Sequence, residues 1–254
     1  GPLMHPKNMF LGRTGPLRHA LMVILMLSLA YPARAAPSSD PFESFNRAMY
    51  TFNDAFDRAL VKPLAVGYRY VIPSPIRRGV GNFFSNLRAP TTFINDLLQG
   101  KPARARETLD RFLLNSSIGL LGFIDIAMPL GKLPHEEDYG QTLAVWGVPS
   151  GPYLVLPFLG PSTARDSIAK IPEFLIADPL WEPGDVKVTV ARFGLRLIDL
   201  RSRLLGVDRI LQMQVDPYLF LRETYLQQRS AQISDSAAPR AERPGELEKL
   251  LLEE

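Results

Sequence analysis

Cysteine is absent from the 254 residues and histidine is scarce, with three. Without a thiol there is no disulfide framework, no thiolate nucleophile, no Cys-ligated zinc or iron–sulfur site, and no sulfur to carry a lipid. Strand signals are equally thin: period-two alternation is rare, and the one candidate, 152–158, is interrupted by Pro157. Catalytic patterns are missing too, with no G-x-S-x-G elbow and no HExxH helix. Gly79-Val80-Gly81 lacks the third glycine and the preceding strand of a dinucleotide loop, so helix packing accounts for it. Gly131-Lys132 lacks P-loop spacing. These absences point to an all-α, non-enzymatic protein with no cofactor, no metal and no catalytic residue.

Acidic residues are missing from 1–35, which carry Lys7, Arg13, Arg18 and Arg34. Arg13 and Arg18 precede an uncharged run, Ala20–Ala30, followed by Ala33-Arg34-Ala35. That order is a secretory signal peptide with cleavage near Ala35. The apolar run of 11 residues is short against the ~20 of a spanning helix. Removing the segment leaves 25 of 29 basic residues against 26 acidic ones, so the net charge of +3 becomes −1 and the hint of a nucleic-acid partner disappears. The domain organisation expected is a signal peptide over 1–35, a helical domain over 36–232 and a mobile polar tail over 233–254.

What the chain has in plenty is proline, 23 residues spread as punctuation. Asp40-Pro41 and Asp216-Pro217 place an acid at the N-cap and proline at the first helical position, and Glu43 completes a capping-box spacing. From Asp40 to Leu60, residues Phe42, Phe45, Met49, Phe52, Phe56 and Leu60 recur at steps of three and four, one helical face. Burying each phenylalanine contributes ~1.5–3 kcal/mol, so this face belongs in a core, in a membrane or against a partner. A second amphipathic helix spans 185–206 with Gly206 as its stop, and a third begins at Pro217. Shorter helices are expected at 76–87, 91–99 and 163–170.

Charge nearly vanishes between residues 112 and 164, where only Asp125, Lys132, Glu136, Glu137 and Asp138 are ionic. Tyr139–Ala164 has no charge in 26 residues, but its prolines and glycines forbid one continuous helix. In the preceding run, 112–130, Gly119 and Gly122 suggest a bend. Both a helical hairpin dipping into lipid and a buried hairpin in a soluble domain fit this composition. His135, the one histidine of the mature chain, sits beside Glu136, Glu137 and Asp138, which reads as a solvated loop. Arg77-Arg78, Arg104 and Arg106 could meet phosphates, though arginines on amphipathic helices commonly form a solvated face.

Several motifs in one order resemble the MlaA (VacJ) family: Asp40–Asn53 (DPFESFNRAMYTFN), Lys62-Pro63, Asn86–Asn95 (NLRAPTTFIN), Arg111–Asp125 (RFLLNSSIGLLGFID), Glu137–Thr142 (EDYGQT), Tyr153–Arg165 (YLVLPFLGPSTAR) with Asp166, and Asp216-Pro217-Tyr218. The resemblance implies a ring of amphipathic helices partly embedded in the inner leaflet of a Gram-negative outer membrane. It implies an amphipathic channel through which misplaced phospholipids leave the outer leaflet, a trimeric porin as companion, and the periplasmic carrier MlaC as recipient. On that basis Asn115, Ser116, Ser117, Gly119, Gly122 and Asp125 are channel candidates. Asp125 has a local cap or ion pair as its competing role. Phe42, Phe45, Phe52 and Phe56 are the expected membrane-interface face. Many members carry a cysteine-linked lipid after the signal peptide. Here an Ala-x-Ala site stands instead, which implies a protein that is not lipidated and is held by its helices or by the porin. The competing expectation is a soluble periplasmic scaffold; a hydrolase built on His135 is third.

Overall fold

The first helix, α1, runs over Glu43–Phe56, two residues later than its capping signal predicts. The computed structural model describes residues 40–176 and 186–234; the expected signal peptide, and the expected tail beyond Ser234, lie outside them. Asp40 does not cap α1 in the expected box. Its carboxylate accepts from the Phe42 N–H at 3.1 Å, from the Asn46 amide at 3.1 Å and from the Tyr218 hydroxyl. Glu43 is drawn off by Arg47 at 2.7 Å. A π turn, Asp57–Val61, then widens the register so that the Lys62 N–H reaches the Asp57 carbonyl. It lies just before Pro63, which has no N–H to continue an α ladder. Helix α2 (Lys62–Val71) follows.

The two short helices expected at 76–87 and 91–99 are one, α3 (Ser74–Leu98), which continues through Pro90. Proline removes one ladder bond, but buried polar side chains on both sides hold the helix in register: Asn86 before it, and Thr91, Thr92, Asn95 and Asp96 after it. Helix α4 (Pro102–Ser117) packs against α3 and begins ten residues before the apolar run. The bend falls where the glycines suggest, with φ values of +53° at Leu120, +58° at Leu121 and +93° at Gly122. Beyond it the hairpin expectation needs correction. The returning limb is irregular apart from a 3₁₀ turn at Met128–Leu130.

Helix α5 (Tyr139–Val145) is capped by Asp138, which accepts from the Gln141 N–H at 2.8 Å. The demoted strand candidate does pair: β1 (Tyr153–Leu156) runs antiparallel to β2 (Gly160–Thr163), with Pro157 in the turn. Helices α6 (Ala164–Ile176), α7 (Val186–Arg203), α8 (Val207–Gln212) and α9 (Pro217–Ile233) complete the described chain. Helix α7 stops three residues before Gly206, which instead precedes α8. Asp216 caps α9 as predicted, accepting from the Leu219 N–H at 3.1 Å, with Pro217 in the first turn.

Packing contacts pass from α1 through the π turn to α2, then α7, α3, α5, α6, β1 and back to α1. That closed circuit is the connectivity a ring of helices requires. Its interior is not an oily core. Among the described residues eighteen polar or charged side chains are buried against eight apolar ones, and four of the eight are alanines. A small apolar cluster, Tyr153, Val155 and Tyr218 against Met49 and Tyr225, joins α1, β1 and α9. The large apolar side chains face out, the reverse of the usual arrangement.

Candidate functional site

Every third or fourth residue of α3 from Asn82 onward is polar or small: Asn82, Ser85, Asn86, Ala89 and Thr92 turn one face toward α4 and α7. A cavity of about 570 Å³ opens along that face. Its other walls are Thr108, Arg111, Phe112 and Asn115 of α4, the 125–136 segment, and Arg196, Asp199 and Arg203 of α7.

Of the six channel candidates, Asn115 and Asp125 reach the cavity wall. Asn115 is buried, accepts from the Ile126 and Ala127 N–H groups at 2.8 and 3.1 Å, and donates to Asp125 at 3.1 Å. Asp125 also accepts from Arg111 at 2.9 Å and from the Met128 N–H at 3.1 Å. Burial pushes the Asp125 carboxyl up, but the Arg111 guanidinium, Asn115 and the Met128 N–H outweigh it and hold it below the usual range. The other four are not among its lining residues. Ser116 accepts from Asn86 at 2.9 Å, and Ser117 donates to the Leu113 carbonyl of its own helix at 2.6 Å. Gly119 and Gly122 make the reversal: a Cβ at Gly119 would meet the Ile124 and Asn115 carbonyls, and one at Gly122 would overlap Asn86. Gly79 packs in the same way against the Phe123 ring, as the helix-packing reading expects.

The expected solvated loop around His135 is overturned. His135 Nε2 lies 3.0 Å from the carboxylate of Asp96, which is fully buried, and 3.3 Å from the Thr108 hydroxyl. Glu137 is 3% exposed and takes Lys101 and Arg104 at 3.3 and 3.2 Å and the Gln99 amide at 2.8 Å. Asp138 pairs with Arg229 at 2.6 Å. Only Glu136 of the three acids has an exposed side chain. The run looked solvated because its partners, Asp96, Lys101, Arg104 and Arg229, are far away in sequence. The Thr108 hydroxyl donates to Asp96 at 2.8 Å, so the group ties α3, α4 and the 131–138 segment together.

The aromatic face of α1 divides. Phe42, Phe45 and Phe52 are 46, 50 and 43% exposed, while Phe56 is partly covered, its ring 5.0 Å from that of Phe158 at the hairpin tip. The buried residue of α1 is Asn46. The polar side faces in, which the apolar periodicity alone does not reveal. The polar face of α3 was not singled out by its sequence, in which the NLRAPTT motif stands only as a mark of family resemblance. Arg196, Asp199 and Arg203 look like the solvated side of α7 until α7 is packed on α3.

Fold and site define a class: a helical protein with an apolar exterior around a polar-walled cavity. Comparison with known proteins identifies its family. The MlaA lipoprotein family model matches residues 38–232, and the chain belongs to that family. It is 40% identical over 193 residues to the intermembrane phospholipid transport system lipoprotein MlaA of Shigella flexneri, covering 74% of this chain and 76% of that protein. The Haemophilus influenzae protein of the same name is 32% identical over 200 residues, 78% of this chain and 80% of the other. A structure solved in work on the structural basis for maintenance of bacterial outer membrane lipid asymmetry superposes with a TM-score of 0.70. It is 34% identical and matches 77% of this chain and all of that one.

Proposed function

We propose that the chain sits in the inner leaflet of the outer membrane and lets phospholipids misplaced in the outer leaflet pass inward through the cavity between α3, α4 and α7. The observation that carries this is the inverted distribution of polarity. Side chains such as Leu120, Leu121 and Ile118 are 66, 67 and 65% exposed, whereas Asn46, Asn95 and Asp96 are fully buried. In water such an apolar surface is costly; in lipid it is solvated. A soluble scaffold would leave that surface unexplained. A headgroup moving through hydrocarbon needs polar groups along its path because a bare charge there costs several kcal/mol, and the cavity wall supplies them.

Among the described residues no helix is long and apolar enough to cross a membrane. The relatives are named lipoproteins. These 254 residues hold no cysteine, and the apolar helix faces and a trimeric porin contribute to attachment. Lipid leaves to the periplasmic carrier MlaC, and no covalent chemistry is performed. Membrane fractionation tests the reading. The protein remains with outer membranes through carbonate and high-salt washes and restores lipid asymmetry to a deletion strain. Recovery in the soluble periplasm would overturn it.

A further inference from the structure

Ion pairs on the cavity wall differ in tightness. Arg111 binds Asp125 at 2.9 Å and the Lys132 carbonyl, and Arg203 binds Asp199 at 2.7 Å. Arg88 meets Glu136 at 3.6 Å, beyond hydrogen-bond length, with the two side chains 33 and 55% exposed. This loose pair bridges α3 to the 131–138 segment, so opening it changes the cavity wall at little cost. Ser85 and Thr92 lie one turn before and one turn after Arg88 on the same wall and offer hydroxyl donors. Glu173 is the other carboxyl that feels the charge of Arg88. Burial and the neighbouring Asp138 push its pKa up.

We infer that the Arg88–Glu136 pair selects the headgroup: it opens to place a phosphodiester on Arg88 and an ammonium on Glu136, favouring zwitterionic phosphoethanolamine lipids over anionic phosphoglycerol lipids. A zwitterion pairs both released charges. An anionic headgroup pairs Arg88 and leaves Glu136 facing added negative charge. Arg88 supplies the planar guanidinium that matches phosphate oxygens. This rests on the lipid-conduit reading and goes beyond it by naming the ligand class and the residues that choose it.

The test uses the full chain in detergent, loaded from mixed micelles of equal phosphatidylethanolamine and phosphatidylglycerol, with bound lipid counted by native mass spectrometry. Wild type carries the ethanolamine lipid in about fivefold excess, the factor expected of one exposed ion pair. Glu136→Gln brings the ratio to about one and Glu136→Lys inverts it, while Arg88→Gln lowers binding of both lipids. The double exchange, Arg88→Glu with Glu136→Arg, recovers part of the preference. Glu136 is exposed, so its variants keep the wild-type melting temperature. An excess of soluble glycerophosphoethanolamine fails to displace the lipid; displacement would make a water-soluble headgroup the ligand and overturn the lipid assignment. A wild-type ratio of one, or a ratio unchanged by Glu136→Gln, ends the inference and leaves the conduit standing. A protein that carries neither lipid overturns both.

Discussion

Asn46 and Asn53, seven residues apart on α1, grip the β-hairpin by the same pair of bonds. Asn46 accepts from the Val155 N–H at 2.8 Å and donates to the Tyr153 carbonyl at 3.0 Å. Asn53 accepts from the Phe158 N–H at 2.8 Å and donates to the Leu156 carbonyl at 2.9 Å. A helix thus supplies the hydrogen bonds of a missing strand. Asn46→Leu strands a buried N–H and C=O of β1 and should cost about 2–4 kcal/mol, whereas Asn53→Leu, at the rim, should cost about 1 kcal/mol. Thermal melts in detergent check this through a distinctly larger fall in Tm for Asn46; equal falls would contradict it.

Acid stability should depend on Arg229. Asp166 accepts from Arg229 at 2.8 Å and from Arg165 at 2.9 Å, and Arg229 also holds Asp138. Burial pushes both carboxyls up, but Arg229 outweighs it, bringing Asp166 down to about 2 and Asp138 below its ordinary value. A lowered folded pKa means the unfolded chain takes up protons first. The stabilisation is complete above the unfolded value near 4 and drains away as pH falls toward 2, about 2 kcal/mol from Asp166. Arg229→Met leaves the buried Asp166 and the partly buried Asp138 without their shared cation and should cost ~3–5 kcal/mol at neutral pH. Urea titrations at pH 7 and pH 3 separate these outcomes: the variant's deficit shrinks at the lower pH.

Gly122 at the reversal should be sharply unequal to Gly67 on α2. Gly122 has φ +93° and its added Cβ would overlap Asn86, so Gly122→Leu should abolish restoration of outer-membrane lipid asymmetry in a deletion strain. Gly67, inside α2 with nothing within 4 Å of an added Cβ, is the control. Gly67→Ala should raise stability by about 0.5–1 kcal/mol and restore asymmetry fully. Normal function of Gly122→Leu would remove the reversal from the transport path.

Asp125 and Asn115 should act together on the loop they tie down. Asn115→Ala frees the Ile126 and Ala127 N–H groups, and Asp125→Ala releases Arg111 and the Met128 N–H. Hydrogen exchange over 119–130 should accelerate in either variant by at least tenfold, while amides of α9 stay protected. Acceleration spread over the whole chain would mean that these residues support the fold at large.

Features set by neighbours in sequence were legible. The Asp216-Pro217 start of α9, the shared helical face of Phe45, Phe52 and Phe56 on α1 and the Gly119–Gly122 bend all depend on local backbone or periodicity. Features set by distant partners were not. Pro90 reads as a break, yet α3 continues because Asn86 and Thr91–Asp96 are pinned by other elements. His135 reads as solvated because Asp96 lies 39 residues away. The 153–163 hairpin is held, besides its own pairing, by Asn46 and Asn53 of α1, which lie 107 and 103 residues from the carbonyls they reach. The channel candidates were found as polar residues in an apolar run; those on α3 and α7 sit in ordinary amphipathic sequence and gain meaning only from the cavity they share.

The inward placement of polar side chains sets where this chain can vary. In a water-soluble domain a Leu-to-Val exchange inside is felt and an Asn-to-Ser exchange outside is not. Here Leu113 or Val190 can drift among apolar types with little effect, while Asn46, Asn95 and Asp96 admit almost no replacement, because geometry and hydrogen-bond sense must both be kept. A saturation-mutagenesis map of this protein would therefore be the photographic negative of the usual one, with hydrophobicity the relaxed requirement and asparagine the least exchangeable residue.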